Sequence, residues 1–315
     1  MHNSQKCCTF ASDLKKSVTI AIKPKPIYSR VDMLLYPNCK INLGLRIIRK
    51  RTDGYHDLET IFVPVYGLHD ELEVVKNTEY RVQNTDQITF VQEGITVDCN
   101  PEDNLIVKCY RQMAAKYPQI GPVSIRFKKN IPFGAGLGGG SSDAAHVAIA
   151  LNELFALGLS KPQLAEEVRS LGADCPFFIY NSPCYAEGIG DKLTPIDLEL
   201  KGVRIVMIKP NEGVSTKEAY GGIVLHPEAS GKVLQGEYIN DFEASVFPKH
   251  PIIAEIKKRL LDAGAYYASM SGSGSTVFGF FKNDPEGSTD THLTLLKEEF
   301  SSMVLLDDTF GEWKA

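Results

Sequence analysis

The sequence has no run approaching the roughly 20 consecutive apolar residues that a membrane-spanning helix needs, because Gly, Lys or Asp interrupts its hydrophobic stretches. This predicts a soluble protein with no membrane partner. A basic surplus is also missing. Its 34 Lys and Arg stand against 39 Asp and Glu, a net charge of −5, which argues against a dedicated nucleic-acid binder. A few local cations and backbone N–H groups still suffice for a small anionic ligand. The 7 cysteines are odd in number, contain no CxxC pair and have no His at metal-ligand spacing. They read as reduced thiols of a cytosolic protein. Neither an internal repeat nor a long low-complexity tract is found.

What is present is 315 residues, 43% of them hydrophobic, enough for one large domain or, more comfortably, two with separate cores. Residues 1–32 mix Ser, Lys, Pro and Cys without periodicity, and read as an unstructured or extra leader, or alternatively as a targeting segment. From Met33 the pattern becomes strand-like at 34–36, 41–48, 71–75, 88–91 and 123–127, with one helix over 105–117 between Asn104 as N-cap and Pro118 as stop. Helical spacing follows over 141–157, ended by Gly158, and again after the Ser160/Gln163 capping box, ended by Gly172. The turn-rich stretch 188–202 puts a domain boundary near residue 200, giving domains 33–200 and 201–315. Beyond it, a strand is predicted from Val203, a helix over 252–261, a strand over 276–281 and a helix over 293–300.

The segment Pro132-Phe133-Gly134-Ala135-Gly136-Leu137-Gly138-Gly139-Gly140-Ser141-Ser142 joins a strand to a helix. Consecutive glycines let a backbone approach an anion closely, and a helix N-terminus supplies N–H groups and partial positive charge. A plain tight turn needs one or two glycines, whereas this segment has five within seven positions. The glycine spacing of a P-loop is met by Gly134 and Gly139, but no Lys follows. Gly134, Gly136 and Gly139 satisfy GxGxxG, yet a second helix follows the first, giving β-α-α where a dinucleotide fold requires β-α-β.

The loop resembles the second motif of the GHMP kinases, P-x-x-x-G-L-G-x-S-S. Further segments extend the resemblance: Pro37-Asn38-Cys39-Lys40-Ile41-Asn42, Asp53-Gly54-Tyr55-His56, Gly172-Ala173-Asp174-Cys175-Pro176, Ala186-Glu187-Gly188-Ile189-Gly190 and Ser271-Gly272-Ser273-Gly274-Ser275. The Asp-Gly-Tyr-His element narrows it to a branch that phosphorylates an alcohol carrying a cytidine diphosphate in non-mevalonate isoprenoid synthesis. The resemblance implies an α+β fold of two-domain GHMP architecture, N-terminal of the ribosomal protein S5 domain 2 type and C-terminal ferredoxin-like, in a cytoplasmic monomer or homodimer. It implies ATP with Mg2+, the metal ligands being left open, and a small-molecule substrate. The alternatives are another GHMP kinase or, from a different class, a dinucleotide-binding oxidoreductase.

The resemblance also implies roles. Asp174 becomes the base and Lys40 its partner; the ATP phosphates lie in the loop Pro132, Gly134, Ala135, Gly136, Leu137, Gly138, Gly139, Gly140, Ser141 and Ser142. Asn104, Leu105 and Lys129 match positions used around the adenine, although Asn104 also reads as an N-cap and Lys129 as a solvated strand end. Asn42, two residues from Lys40 on the same strand face, is placed to orient the alcohol. Tyr55 and His56 follow a turn signal and read as a loop tip suited to a pyrimidine. Tyr220 is either an opposing stacking face or a core tyrosine.

Overall fold

Val123, Ile125 and Phe127 alternate with Ser124, Arg126 and Lys128, and this period of two buries one face of a strand. The computed structural model describes residues 32–77, 87–96, 100–282 and 288–311. In it that strand belongs to a sheet of order β1 (Asp32–Leu35), β4 (Glu71–Lys76), β6 (Val123–Lys129), β5 (Ile88–Gly94), antiparallel except between β5 and β6. Its apolar face shares one core with α1 (Leu105–Lys116), α2 (Gly139–Leu154), α3 (Lys161–Arg169) and α4 (Cys175–Tyr180).

A second, antiparallel sheet runs β2 (Asn38–Lys50), β3 (His56–His69), β7 (Cys184–Glu187), β8 (Lys192–Pro195). The third runs β10 (Tyr267–Met270), β11 (Val277–Phe281), β9 (Arg204–Ile208), β12 (Val304–Thr309), also antiparallel. Its core takes in α7 (Pro251–Asp262) and α8 (Ser288–Glu299), while α5 (Thr216–Tyr220) and α6 (Phe242–Val246) are single short turns of helix. Cys39, Ile41 and Leu43 of β2 pack in a common core with Ile205 and Met207 of β9 and Phe278 and Phe280 of β11. Each fully buried side chain of this size contributes roughly 1.5–3 kcal/mol, against about 1 kcal/mol net for a typical hydrogen bond. Packing, more than any polar contact, therefore holds β2 in place.

The predicted strands and helices recur with shifted ends, α8 beginning at Ser288 where 293 was expected, and β3, α4, β7, β8, α5, α6, β10 and β12 are additions to the predicted set. The 14-residue β3 has no counterpart in the expectation, because Pro64 and Gly67 interrupt its apolar pattern. α2 begins at Gly139, two residues before the predicted start, and ends at Leu154, where 141–157 was expected. The side chain of Asn152 grips the connection beyond it, accepting from the Leu159 amide at 2.9 Å and donating to the Leu159 carbonyl at 3.1 Å, and Gly158 lies in that connection instead of capping the helix. The unpredicted α4 begins directly after Asp174 with Pro176 in its first turn, a position proline tolerates. Asp32 opens β1, and the rest of the predicted leader lies outside the described residues.

Candidate active site

Lys40 and Asn42 share one face of β2, as the two-residue period requires. Both are buried, Lys40 being 4% exposed. The Lys40 ammonium donates to Asn42 Oδ1 at 2.5 Å and to the Gly136 carbonyl at 3.3 Å, and stands 4.9 Å from the centre of the Phe62 ring. Asp174 Oδ2 lies 3.5 Å from it. Asp174 occupies the N-cap position of α4, yet its side chain makes no capping bond and faces the ammonium instead. Asn42 is held in turn, donating to Thr60 Oγ1 at 3.1 Å, and Thr60 donates to the Gly44 carbonyl.

The glycine loop alternates. Gly134, Gly136 and Gly138 line the cleft, all with positive φ of 63°, 75° and 70°, whereas Ala135 and Leu137 turn into the core beside Ile131. The Lys40 amide donates to the Leu137 carbonyl at 3.0 Å, which ties β2 to the loop. A Cβ on Gly136 would lie 2.0 Å from the Ser271 carbonyl oxygen, so the 271–276 turn is seated directly against the loop. Ser271 Oγ donates to the Gly136 carbonyl at 2.9 Å, the same oxygen that Lys40 reaches. The loop then enters α2, whose first-turn amides at Gly139, Gly140 and Ser141 precede any intrahelical acceptor and so are available to an anion. Ser142 is buried beside His146, Ser141 stands near Gly172, Pro132 is half-buried, and Phe133 is 71% exposed.

Three predicted residues lie behind this surface. Lys129 is buried and paired with Asp70 Oδ2 at 2.5 Å and Asp143 Oδ2 at 2.9 Å, beneath Gly139. Burial drives the Asp143 carboxyl well above its usual range, with Asp70 adding to the shift and Lys129 opposing it. Asn104 caps α1, accepting from the Ile106 amide at 2.9 Å, and Leu105 would touch a Cβ on Gly140 at 3.6 Å.

At the other end of the cleft, His56 stacks on Tyr220 with ring centroids 4.7 Å apart, and Phe242 meets Tyr220 edge-on at 4.8 Å. His56 opens β3, while Tyr55 is exposed in the turn before it. Burial, and then Lys50, lowers the His56 pKa below its ordinary value, so its ring is neutral near pH 7. Burial raises the Tyr220 phenol, and the nearby Asp174 charge adds to this. The cleft between these ends has a volume of about 270 Å³ and is closed by Leu58, Gly190 and Val214 among others. Sequence reasoning missed Thr60, Phe62 and Phe242. The first two stand on β3, whose pattern was obscured, and a lone Phe carries no distinguishing signal. Among the described residues no group of three or more His, Cys, Asp or Glu could hold a metal, and no helix is long and apolar enough to cross a membrane.

Residues 104–182 match the model for the GHMP kinases N terminal domain, and residues 228–289 the model for the GHMP kinases C terminal. With both matches on this α+β architecture, the chain is a GHMP kinase. The fold recurs in the homoserine kinase of Cytophaga hutchinsonii, 15% identical with a TM-score of 0.63 over 88% of this chain and 92% of that one. A 4-diphosphocytidyl-2-C-methyl-D-erythritol kinase of Bacteroides thetaiotaomicron is 50% identical over 81% of this chain and 93% of its own length. That of Cytophaga hutchinsonii is 43% identical over 81% and 94%. A crystal structure of 4-(cytidine 5'-diphospho)-2C-methyl-D-erythritol kinase is 31% identical, with a TM-score of 0.67 over 86% of this chain and 96% of that one. The chain belongs to the 4-diphosphocytidyl-2-C-methyl-D-erythritol kinase family, not to the dinucleotide oxidoreductases.

Proposed function

We propose that the chain transfers the γ-phosphoryl group of ATP to the 2-hydroxyl of 4-diphosphocytidyl-2-C-methyl-D-erythritol, a step of non-mevalonate isoprenoid synthesis. The observation that carries the chemistry is the Lys40 ammonium 3.5 Å from Asp174 beside the glycine loop. Asp174 accepts the hydroxyl proton as the oxygen bonds to the γ-phosphorus and the bond to the β-phosphate oxygen breaks. Lys40 offsets the charge that develops on the alcohol oxygen, and Asn42, within 2.5 Å of Lys40, orients that alcohol. Positioned charges of this kind need no reorganisation during reaction, which is their advantage over water.

The loop from Gly134 to Ser142 holds the phosphates, with the Gly139, Gly140 and Ser141 amides free to face them, while Asn104, Leu105 and Lys129 lie on the adenine side, Leu105 beside Gly140 and Lys129 beneath Gly139. Magnesium usually reaches a kinase on the nucleotide phosphates with one or two protein oxygens, and the Ser141 hydroxyl at the start of α2 would suit that limited part, leaving Asp174 to the proton. There it would neutralise phosphate charge.

His56, Tyr55 and Tyr220 read the cytosine. Tyr220 and Tyr55 offer aromatic surface for a pyrimidine, whose edge a neutral His56 beside Tyr220 can meet as both donor and acceptor. The chain acts as a cytoplasmic monomer or homodimer on a free small molecule, with one domain to about residue 200 and another beyond it. Cytidine diphosphate is the test of the substrate end. It should inhibit the wild type competitively against the alcohol, and His56→Ala should weaken that inhibition about tenfold, the loss of hydrogen bonds worth roughly 1–3 kcal/mol. Equal inhibition of both proteins would remove cytosine recognition from His56.

A further inference from the structure

Residues 240–243, which belong to none of the motifs above, reach three separate parts of the cleft. The Asn240 side-chain amide donates to the Met270 carbonyl at 2.6 Å and to the Gly272 carbonyl at 2.9 Å, and its oxygen accepts from the Phe242 amide at 3.0 Å. Asp241 accepts from the Ile47 amide at 2.7 Å and pairs with Arg46 at 3.1 Å. Phe242 supports Tyr220, and Glu243 accepts from the Met270 amide at 2.9 Å. The main chain is stitched to β2 as well: Leu45 donates to the Ile239 carbonyl at 2.7 Å, and Asp241 to the Leu45 carbonyl at 2.8 Å.

Asn240 is only 2% exposed, and its chemistry matches its surroundings. Two carbonyl oxygens require two hydrogens from a neutral group, which a carboxamide supplies while its own oxygen stays satisfied. The consequence reaches the reacting end of the cleft. A Cβ on Gly272 would come within 3.2 Å of the Gly136 oxygen, the atom that accepts from both Ser271 Oγ and Lys40 Nζ. A shift of residues 270–272 therefore displaces the phosphate loop and the ammonium together.

We propose that Asn240 is a positioning residue for phosphoryl transfer: by holding the Met270 and Gly272 carbonyls it sets the 271–276 turn against Gly136 and so the phosphate loop against Lys40. This rests on the kinase reading above. It is tested with Asn240→Asp, nearly isosteric but without the two donors, and with Asn240→Ser, which keeps a single donor. Misplacement of order 1 Å near reacting groups costs up to about a hundredfold, so kcat of Asn240→Asp should fall about tenfold to a hundredfold at pH 8, with cytidine diphosphate binding nearly unchanged. Burial raises the pKa of the new carboxyl, and its protonated form regains one donor, so the ratio of variant to wild-type kcat should rise as pH falls to about 6. Asn240→Ser should be intermediate, and carries the test if the aspartate variant does not fold. Normal kcat in a folded variant would overturn the proposal, as would a pH-independent loss shared equally by ATP and cytidine diphosphate binding. An inactive wild type in the same assay would instead bring down the kinase reading itself.

Discussion

Replacing Gly136 by Ala would set a methyl group 2.0 Å from the Ser271 carbonyl oxygen and 3.1 Å from that of Gly274. Neither atom can rotate aside, because both belong to a main chain anchored by Asn240, by Ser271 Oγ and by the bond from the Thr276 amide to the Ala135 carbonyl at 3.3 Å. The φ of 75° adds strain that costs a non-glycine residue roughly 1–2 kcal/mol. Forcing the two turns apart adds about 1–3 kcal/mol, the usual range for overpacking. Both together leave part of a domain stability of about 5–15 kcal/mol, so the variant should fold with a lowered Tm. Activity should suffer more than stability, since Gly136 carries the carbonyl that helps to place Lys40. We expect the KM for ATP to rise and kcat to fall by about tenfold or more, measured by ADP release beside a thermal melt. Wild-type Tm and an unchanged KM for ATP would show that the two turns are not seated as described.

Asp174→Asn keeps the size of the side chain but removes the proton acceptor, so turnover should fall about a hundredfold or more while ATP binding by calorimetry changes little. The Asp143 carboxyl, raised chiefly by burial, makes a separate prediction about pH. Because its folded pKa exceeds the unfolded value near 3.9, the folded state binds the extra proton, and stability is lost as pH rises from about 4 toward the folded value. Asp143→Asn removes that penalty, so its Tm relative to wild type should increase as pH is raised; a relative decrease would mean that Asp143 is ionised and stabilised by Lys129.

The site was legible where backbone chemistry leaves a mark in composition. The five glycines marked the turn that enters α2 and lines the cleft, and the alternation around Lys40 put it on one strand face with Asn42, as found. The length of β3 was hidden, because a proline and a glycine broke its period while tertiary pairing with β2 overrode the local signal. Lys129 shows the opposite limit. A lysine at a strand end reads as solvated from sequence, and only the fold brings Asp70 and Asp143 around it from 59 and 14 residues away. Residues 240–243 carry no motif at all; their meaning comes from the three segments they join.

The central claim is a kinase whose alcohol carries cytidine diphosphate, and ADP release with a panel of acceptors tests it most directly. With ATP and magnesium, the wild type should turn over 4-diphosphocytidyl-2-C-methyl-D-erythritol and leave mevalonate and homoserine near background, and Asp174→Asn should be nearly inactive with all three. Comparable turnover of mevalonate or homoserine, or full activity of the asparagine variant, would contradict the account.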